Sequence, residues 1–455
     1  MAIRSLKTEM TMKQLRIKDN SQYEKEYLTC IPRLTQQIDS KTLEQLEHDG
    51  VFIFPELVAD AEDITKDQMI LQRIGDCYRT QNVMGFIGYG DERLVLTSRF
   101  ADENSDYFLQ YMLEQVLDFP NIVDLSSSAS QDDRLFHMLL FLFPYYLEQA
   151  VRKGLFKTYI RRKYNDSNVK GIIDIPRHID RNTPFVGKVA YNQREYSYDN
   201  YLMELIRHTI EFIKKKPYGK KILSKVKDEV QLVVDVTQEY VPFDKRSIIE
   251  KNTRNVVRHA YYREYRSLQR LCLLILQQQK HQIGSGARQI YGILFDGAWL
   301  WEEYVNQLIS DKFYHPRNKS GEGAQRLFAG GVGLIYPDFI GREQSPRLIA
   351  DAKYKPTDNI GGKDYLQLLA YMLRFDAKTG YYLYPDSQST GDKKLMLNEG
   401  VKFENNVKAR DDICVIKHGL RIPDNAINYD DFVVAIKNSE SEFRELFPSA
   451  TSILF

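Results

Sequence analysis

Residues 334–355, LIYPDFIGREQSPRLIADAKYK, set the tightest limit on what this chain can fold into. The apolar run 334–338 ends on Asp338, and 347–353 reads as a second strand after a turn through 341–346, where Gly341 and Pro346 interrupt the pattern. A β-hairpin is predicted. Successive side chains of a strand point to opposite faces, so Asp351 and Lys353, two apart, share a face. The hairpin folds Asp338 back beside them, and two carboxylates and an ammonium then occupy one small site.

Phosphodiester hydrolysis needs such a set. Hard oxygen ligands hold Mg²⁺ with several of its waters, the metal stabilises charge on the phosphorane, and a nearby lysine orients or deprotonates the attacking water. The pattern resembles the PD-(D/E)xK nuclease superfamily, spelled here Pro337-Asp338 and Asp351-Ala352-Lys353. Upstream, FDGAWLWEEYV (295–305) opens a helix capped by Asp296, with apolar positions 300, 301, 304, 305 and 308 on one face and Glu302 at its border. Glu303, about 100° further round, is the alternative acid. Downstream, DYLQLLAY (364–371) is a second helix with Gln367 and Tyr371 four apart on one side, the QxxxY element of part of that superfamily. A strand at 381–384 follows. The order is helix, three strands, helix, strand, which matches the αβββαβ core of that fold. Lys355 reads as a strand-end charge or a phosphate contact.

A chain of 455 residues has room for two or three domains. With 27% charged and 43% hydrophobic residues, disorder is not expected. The net charge of +1 means that any nucleic-acid binding must use a local basic surface. Cys30, Cys77, Cys272 and Cys414 lack metal-ligand spacing, which fits a reducing cytoplasm. The first 18 residues carry charge but no apolar core, so no secretory signal is expected, and the apolar run 135–147 is too short to cross a bilayer.

The fold class expected is α/β, α+β overall. Residues 1–125 form an N-terminal mixed α/β domain, 134–285 a helix-rich middle region with short strands, and 286–455 the nuclease domain. In the first, 51–54 is a buried strand and 83–88 and 93–100 pair across a turn. The glycines at 85, 88 and 90 form no phosphate loop, because no GxxxxGK[ST] occurs and no helix follows them. A helix at 106–117 precedes a polar linker at 126–133. Residues 134–156 are a helix pair or one bent helix, 171–175 and 187–191 are strands, and Asp199 caps a helix to about Lys216 with His208 at the margin of its apolar stripe. A helix over 248–279 carries Arg258, Tyr262, Arg266 and Arg270 at fourfold spacing, a basic face that could follow a phosphate backbone or simply face solvent. Arg177, Arg181, Lys188 and Arg194 are open to the same two readings. Residues 393–410 are a charged loop or edge element, 413–416 a strand, and the end from Asp430 helical.

Beyond the nuclease motif, 85–100 resembles the N-terminal hairpin of McrC-type subunits of modification-dependent restriction systems. GIIDIPRHID and REYSYDNYLMELIRHTIEFI, within 171–213, together with FDGAWLWEEYV and DAKYK, resemble the LlaJI-type branch of that family. The resemblance implies an endonuclease subunit that cuts double-stranded DNA with Mg²⁺ and works with a separate McrB-like AAA+ GTPase hexamer. The subunit contacts that ring through its N-terminal part and stimulates it, the GTP being bound by the partner. It implies roles for Asp338, Asp351 and Lys353 in cutting, for Glu302 and Gln367 in supporting the metal or the lysine, and DNA contacts at Tyr371, Lys355, Arg258, Arg266 and Arg270. LlaJI-type systems act on unmethylated sites and McrBC on methylated cytosine, and the sequence leaves the two open. Two other functions are compatible with the chain. One is a stand-alone repair nuclease of the RecB-like branch; the other is a GTPase-activating assembly subunit whose nuclease site is dead.

Overall fold

The structure, a computed structural model, describes residues 13–55, 67–101, 106–116, 131–216, 218–281, 290–316, 323–343, 347–388, 391–400 and 408–447. Side chains at 131–138 and 278–281 are outside that description, as are most of the expected linker at 126–133 and part of the hairpin turn. The chain divides into two compact units, Met1–Ser128 with Gly286–Phe455, and Ala129–Ser285. The first and third segments read from the sequence therefore fall in one unit. Strand pairing is the reason: Ile290–Asp296, assigned above to the nuclease segment, lies in a five-stranded sheet with N-terminal strands. It runs antiparallel to Val83–Tyr89 and parallel to Val51–Phe54. All seven of its residues are buried, so a strand with no polar face has to sit inside a sheet covered on both sides.

A six-stranded mixed sheet follows in the same unit, in the order Phe313–Tyr314, Phe339–Gly341, Leu348–Ala352, Thr379–Asp386, Ala409–Arg421, Lys393–Asn398. Leu348–Ala352 and Thr379–Asp386 are parallel, which requires a crossover, and the helix Gly362–Arg374 supplies it. The helix buries Leu368, Tyr371 and Met372 against Ile349, Tyr382 and Tyr384. A second helix, Gly297–Ile309, starts at Asp296, whose carboxylate accepts from the amides of Ala298 and Trp299. Its Trp301 is fully buried and donates its indole N–H to the Leu383 carbonyl at 3.1 Å. Tyr304 and Tyr111 both donate to Glu440, tying this helix to Tyr107–Val116 and to the C-terminal helix Tyr429–Glu445.

One expectation changes here. Residues 334–338 do not form the strand that pairs with Leu348–Ala352; Leu334–Ile335 pairs with Gln325–Arg326, and the hairpin partner is Phe339–Gly341. Pro337 explains the break, since it has no N–H to give a ladder. The charged stretch from 393, expected as a loop or an edge element, contains an edge strand, Lys393–Asn398, antiparallel to Ala409–Arg421.

In the other unit, the apolar stretch after 131 is one helix, Gln131–Val151, with Pro144 inside it. It packs with Arg263–His281, which packs in turn with Tyr201–Lys214. Tyr201–Lys214 is capped by Asn200 and not by Asp199: the Asn200 side chain accepts from the amides of Leu202 and Met203, while Asp199 accepts from the Glu239 amide. The single basic helix expected over 248–279 is two, Lys245–Arg254 and Arg263–His281, with extended backbone and a short 3₁₀ turn between. Gln269 fixes the break by donating to the Asn252 and Asn255 carbonyls and accepting from the Val257 amide. Arg258 lies in that break, off the helix that carries Arg266 and Arg270. A three-stranded sheet completes the unit, in the order Thr158–Asp166, Val189–Ser197, Ile172–Ile173. The first of these strands has no apolar alternation to announce it.

Candidate active site

Asp338 immediately precedes the strand Phe339–Gly341, whose register pairs Phe339 with Ala350. One step further, that register sets Asp338 opposite Asp351. Asp338 Oδ2 accepts from the Ala352 amide at 2.8 Å, which locks the carboxylate over the end of the neighbouring strand. Asp351 shares a face with Ile349 and is 1% exposed; that face meets the helix Gly362–Arg374. Lys353, just past the strand end, is held by its amide on the Leu383 carbonyl at 2.8 Å.

The Lys353 ammonium stands 2.7 Å from Asp351 Oδ2 and 4.0 Å from Asp364 Oδ1, and donates to Gln367 Oε1 at 3.3 Å. Burial alone would push this lysine down. The charges of Asp351, Asp338 and Asp364 and the hydrogen bond to Asp351 outweigh it and hold the pKa above the ordinary lysine value. Lys353 is therefore an ammonium at neutral pH. The amide of Gln367 continues outward, donating to the Tyr371 hydroxyl at 2.7 Å, which donates to the Tyr336 carbonyl at 3.2 Å. Burial and the nearby Asp351 charge push Tyr371 up, so it stays a neutral phenol. Gln367 and Tyr371 thus form a chain of hydrogen bonds behind Lys353, and Tyr371 is buried.

Lys355 ends on Asp364 Oδ2 at 2.7 Å, and the same oxygen accepts from the Gly361 amide at the helix start. It is paired within the protein. Glu302 is half-buried and lies 3.7 Å from His315 Nε2, with Glu303 at 3.8 Å. The other ring nitrogen, His315 Nδ1, meets the Asp338 carbonyl at 2.8 Å. The histidine joins the helix acids to the Asp338 segment, and sequence reasoning missed it. Burial depresses its pKa, but the neighbouring Glu303 carboxylate, the hydrogen bond to the Asp338 carbonyl and the Asp338 charge reverse the sign and leave it raised. A lone histidine after a two-residue strand carries no pattern that could have flagged it. Arg258, Arg266 and Arg270 lie in the other unit. Arg177 is structural there: its guanidinium donates to the Tyr164 and Tyr191 carbonyls.

Among the described residues, no group of three or more histidine, cysteine or acidic side chains is placed to hold a metal ion. Mg²⁺ does not need one, since it keeps most of its waters and commonly takes one or two carboxylates. Asp338 and Asp351, hard oxygen donors whose charges both bear on Lys353, fit that requirement. No helix among the described residues is long and apolar enough to cross a membrane.

A family model, McrBC 5-methylcytosine restriction system component, matches residues 78–385. Two solved structures are similar, each at 13% identity. A chain of the refined half-complex from a tetradecameric assembly of Thermococcus gammatolerans McrB AAA+ hexamers with bound McrC aligns over 95% of this chain and 100% of its own, with a TM-score of 0.46. A chain of the cryo-EM structure of the Thermococcus gammatolerans McrBC complex aligns over 65% of this chain and 87% of its own, with a TM-score of 0.30. No curated protein matches. The family match takes in more than half of the sequence, with Glu302, Asp338, Asp351, Lys353 and Gln367 inside it, and the chain belongs to the McrBC restriction-system component family.

Proposed function

We propose that this chain is the McrC-type, Mg²⁺-dependent DNA endonuclease subunit of a GTP-dependent restriction complex, with a PD-(D/E)xK active site. The observation that carries the reading is the convergence of Asp338, Asp351 and Gln367 on the Lys353 ammonium at the end of the Leu348–Ala352 strand. The order of elements around it supports the same reading. Apart from the separate two-stranded sheet of Gln325–Arg326 and Leu334–Ile335, the elements Gly297–Ile309, Phe313–Tyr314, Phe339–Gly341, Leu348–Ala352, Gly362–Arg374 and Thr379–Asp386 run helix, three strands, helix, strand.

Asp338 and Asp351 would hold Mg²⁺, with Glu302 contributing through His315. The metal, when bound, supplies Lewis-acid stabilisation of the phosphorane charge. Lys353 would present a charged donor to an anionic phosphate and orient the attacking water. Gln367, backed by Tyr371, keeps that ammonium in place. Membership of a McrBC restriction-system family supports a separate AAA+ GTPase partner, which would contact residues 1–125.

The test is cleavage of a long plasmid, methylated or unmethylated at cytosine, by purified chain with Mg²⁺. It is run with and without the cognate AAA+ protein and GTP, beside Asp351→Ala. Cutting that requires Asp351, partner and GTP together supports the proposal. Cutting by the chain alone means an autonomous nuclease, and faster GTP turnover with no cutting means an activator with a dead site.

A further inference from the structure

A third acid, Asp364, stands beside Lys353. It is the third residue of the helix Gly362–Arg374, where the unpaired amides of the first turn favour a carboxylate, and its Oδ2 accepts from the Gly361 amide at 3.0 Å. A carboxylate that only caps a helix uses one oxygen and normally faces water. Asp364 is instead 14% exposed and lies between two lysines, with Lys355 Nζ 2.7 Å from Oδ2 and Lys353 Nζ 4.0 Å from Oδ1. The Lys355 amide donates to the Lys353 carbonyl at 2.9 Å, a three-residue turn that brings both ammonium groups to the one carboxylate.

The backbone that carries Asp364 is tied to the sheet that carries Asp351. Lys417, buried on the strand Ala409–Arg421, donates to the Thr357 and Ile360 carbonyls at 3.1 and 2.8 Å and so fixes the segment leading into the helix. The Tyr382 hydroxyl donates to the backbone carbonyl of Asp364. In the sheet, Tyr382 is in register with Asp351 on one side and with Lys417 on the other. The position of Asp364 relative to Asp351 and Lys353 is therefore set by the strands and not by the helix alone.

Lys353 has its closest counter-charge in Asp351, at 2.7 Å. That carboxylate is one of the two assigned to Mg²⁺, and a carboxylate shared with a dication holds an ammonium less firmly. Gln367 offers only a neutral oxygen, at 3.3 Å. Asp364 lies within 4.0 Å of the same ammonium and is outside the metal pair. We propose that Asp364 is a positioning residue for Lys353, the counter-charge that keeps its ammonium aimed at the phosphate once Asp351 serves the metal. Lys355 acts through it, pinning Oδ2 so that Oδ1 faces Lys353, and has this task in place of a phosphate contact. The inference rests on the nuclease reading.

The experiment measures plasmid cleavage by the full chain with its AAA+ partner, GTP and Mg²⁺ over a range of DNA concentrations. Asp364→Asn keeps the size and the oxygen that caps the helix, and removes the charge. It should lower kcat by about 10–100-fold and leave KM for DNA within about twofold. Asp364→Glu, which restores a carboxylate, should recover most of the rate. Lys355→Met should cost less, and adding it to Asp364→Asn should slow cutting no further, because both act through one carboxylate. Two readouts need no turnover: the melting temperature and the calorimetric Mg²⁺ affinity of the full chain, both expected to stay near wild type in Asp364→Asn. Full-rate cutting by Asp364→Asn leaves Asp364 a helix cap only and overturns the proposal. So do a rate loss matched by a fall in melting temperature, no rescue by Asp364→Glu, a KM effect in place of a kcat effect, and additive losses in the double variant. Mg²⁺ binding weaker by about tenfold or more would make Asp364 a metal ligand and also overturns it. Failure of the nuclease reading shows differently, as a wild-type complex that cuts no better than Asp351→Ala, and the proposal falls with it.

Discussion

The hydroxyls of Ser98 and Tyr354 lie 2.7 Å apart in the protein interior, although 256 residues separate them in sequence. Tyr354 stands between Lys353 and Lys355, and its ring is covered by the Arg99 guanidinium at 4.9 Å and by Phe100 at 5.2 Å. Arg99 in turn pairs with the fully buried Asp19 at 2.6 Å. The residue next to the Lys353 ammonium is therefore anchored on the N-terminal sheet. Tyr354→Phe keeps the ring and removes the hydroxyl, leaving a buried serine oxygen with fewer partners. A stability loss of about 1–2 kcal/mol is expected, read as a lower melting temperature in calorimetry. An unchanged melting temperature would show that the bond carries no net stability.

Asp351→Asn preserves shape and removes charge. Cleavage should fall to background, because the carboxylate is the buried acid that faces Lys353. The Lys353 ammonium keeps Asp364 and Gln367 as neighbours, so the fold should survive. Circular dichroism and plasmid cleavage measured on the same sample separate the two effects; an unfolded variant would make Asp351 a structural residue.

Gln367→Leu removes the oxygen that receives the Lys353 proton at 3.3 Å and the amide that steadies Tyr371. A loss of about 10–100-fold in cleavage rate is expected, the usual size for a group that orients a reacting residue. Gln367→Glu should retain more activity than Gln367→Leu, since it still accepts from the ammonium. Equal rates for the two variants would sink the positioning role.

His208 gives the helical unit a pH dependence. It is 5% exposed and packs edge-on to Tyr240 at 4.7 Å, and burial together with the charge of Lys245 pushes its pKa down to about 4. The unfolded chain takes up this proton near pH 6.5 and the folded one only near 4. Stability is therefore fully present above pH 6.5 and lost as pH falls toward 4, by up to about 3 kcal/mol. Denaturant melts of the wild type and His208→Phe across pH 4–7 check this: the variant should lack that part of the acid-side decline.

The sequence by itself determined which side chains of the motif share a face and where the helices beside it lie. Asp338, Asp351 and Lys353 were legible because strand alternation forces residues two apart onto one face, and Gln367 and Tyr371 because four residues make about one helical turn. Asp296 was legible as a cap because its role is local. Tertiary structure decided what depends on distant partners. His315 meets Asp338 only once two short strands pair, and Pro337 moved the hairpin strand to Phe339–Gly341 by denying the ladder an N–H. The basic face over 258–270 dissolved because Gln269 binds carbonyls across a break that periodicity does not register. The unanticipated strand Thr158–Asp166, polar on both faces, exists through its pairing with Val189–Ser197. Ile290–Asp296 joined the N-terminal sheet because the partners that bury its seven residues come from the far end of the chain, a pairing that no local pattern encodes.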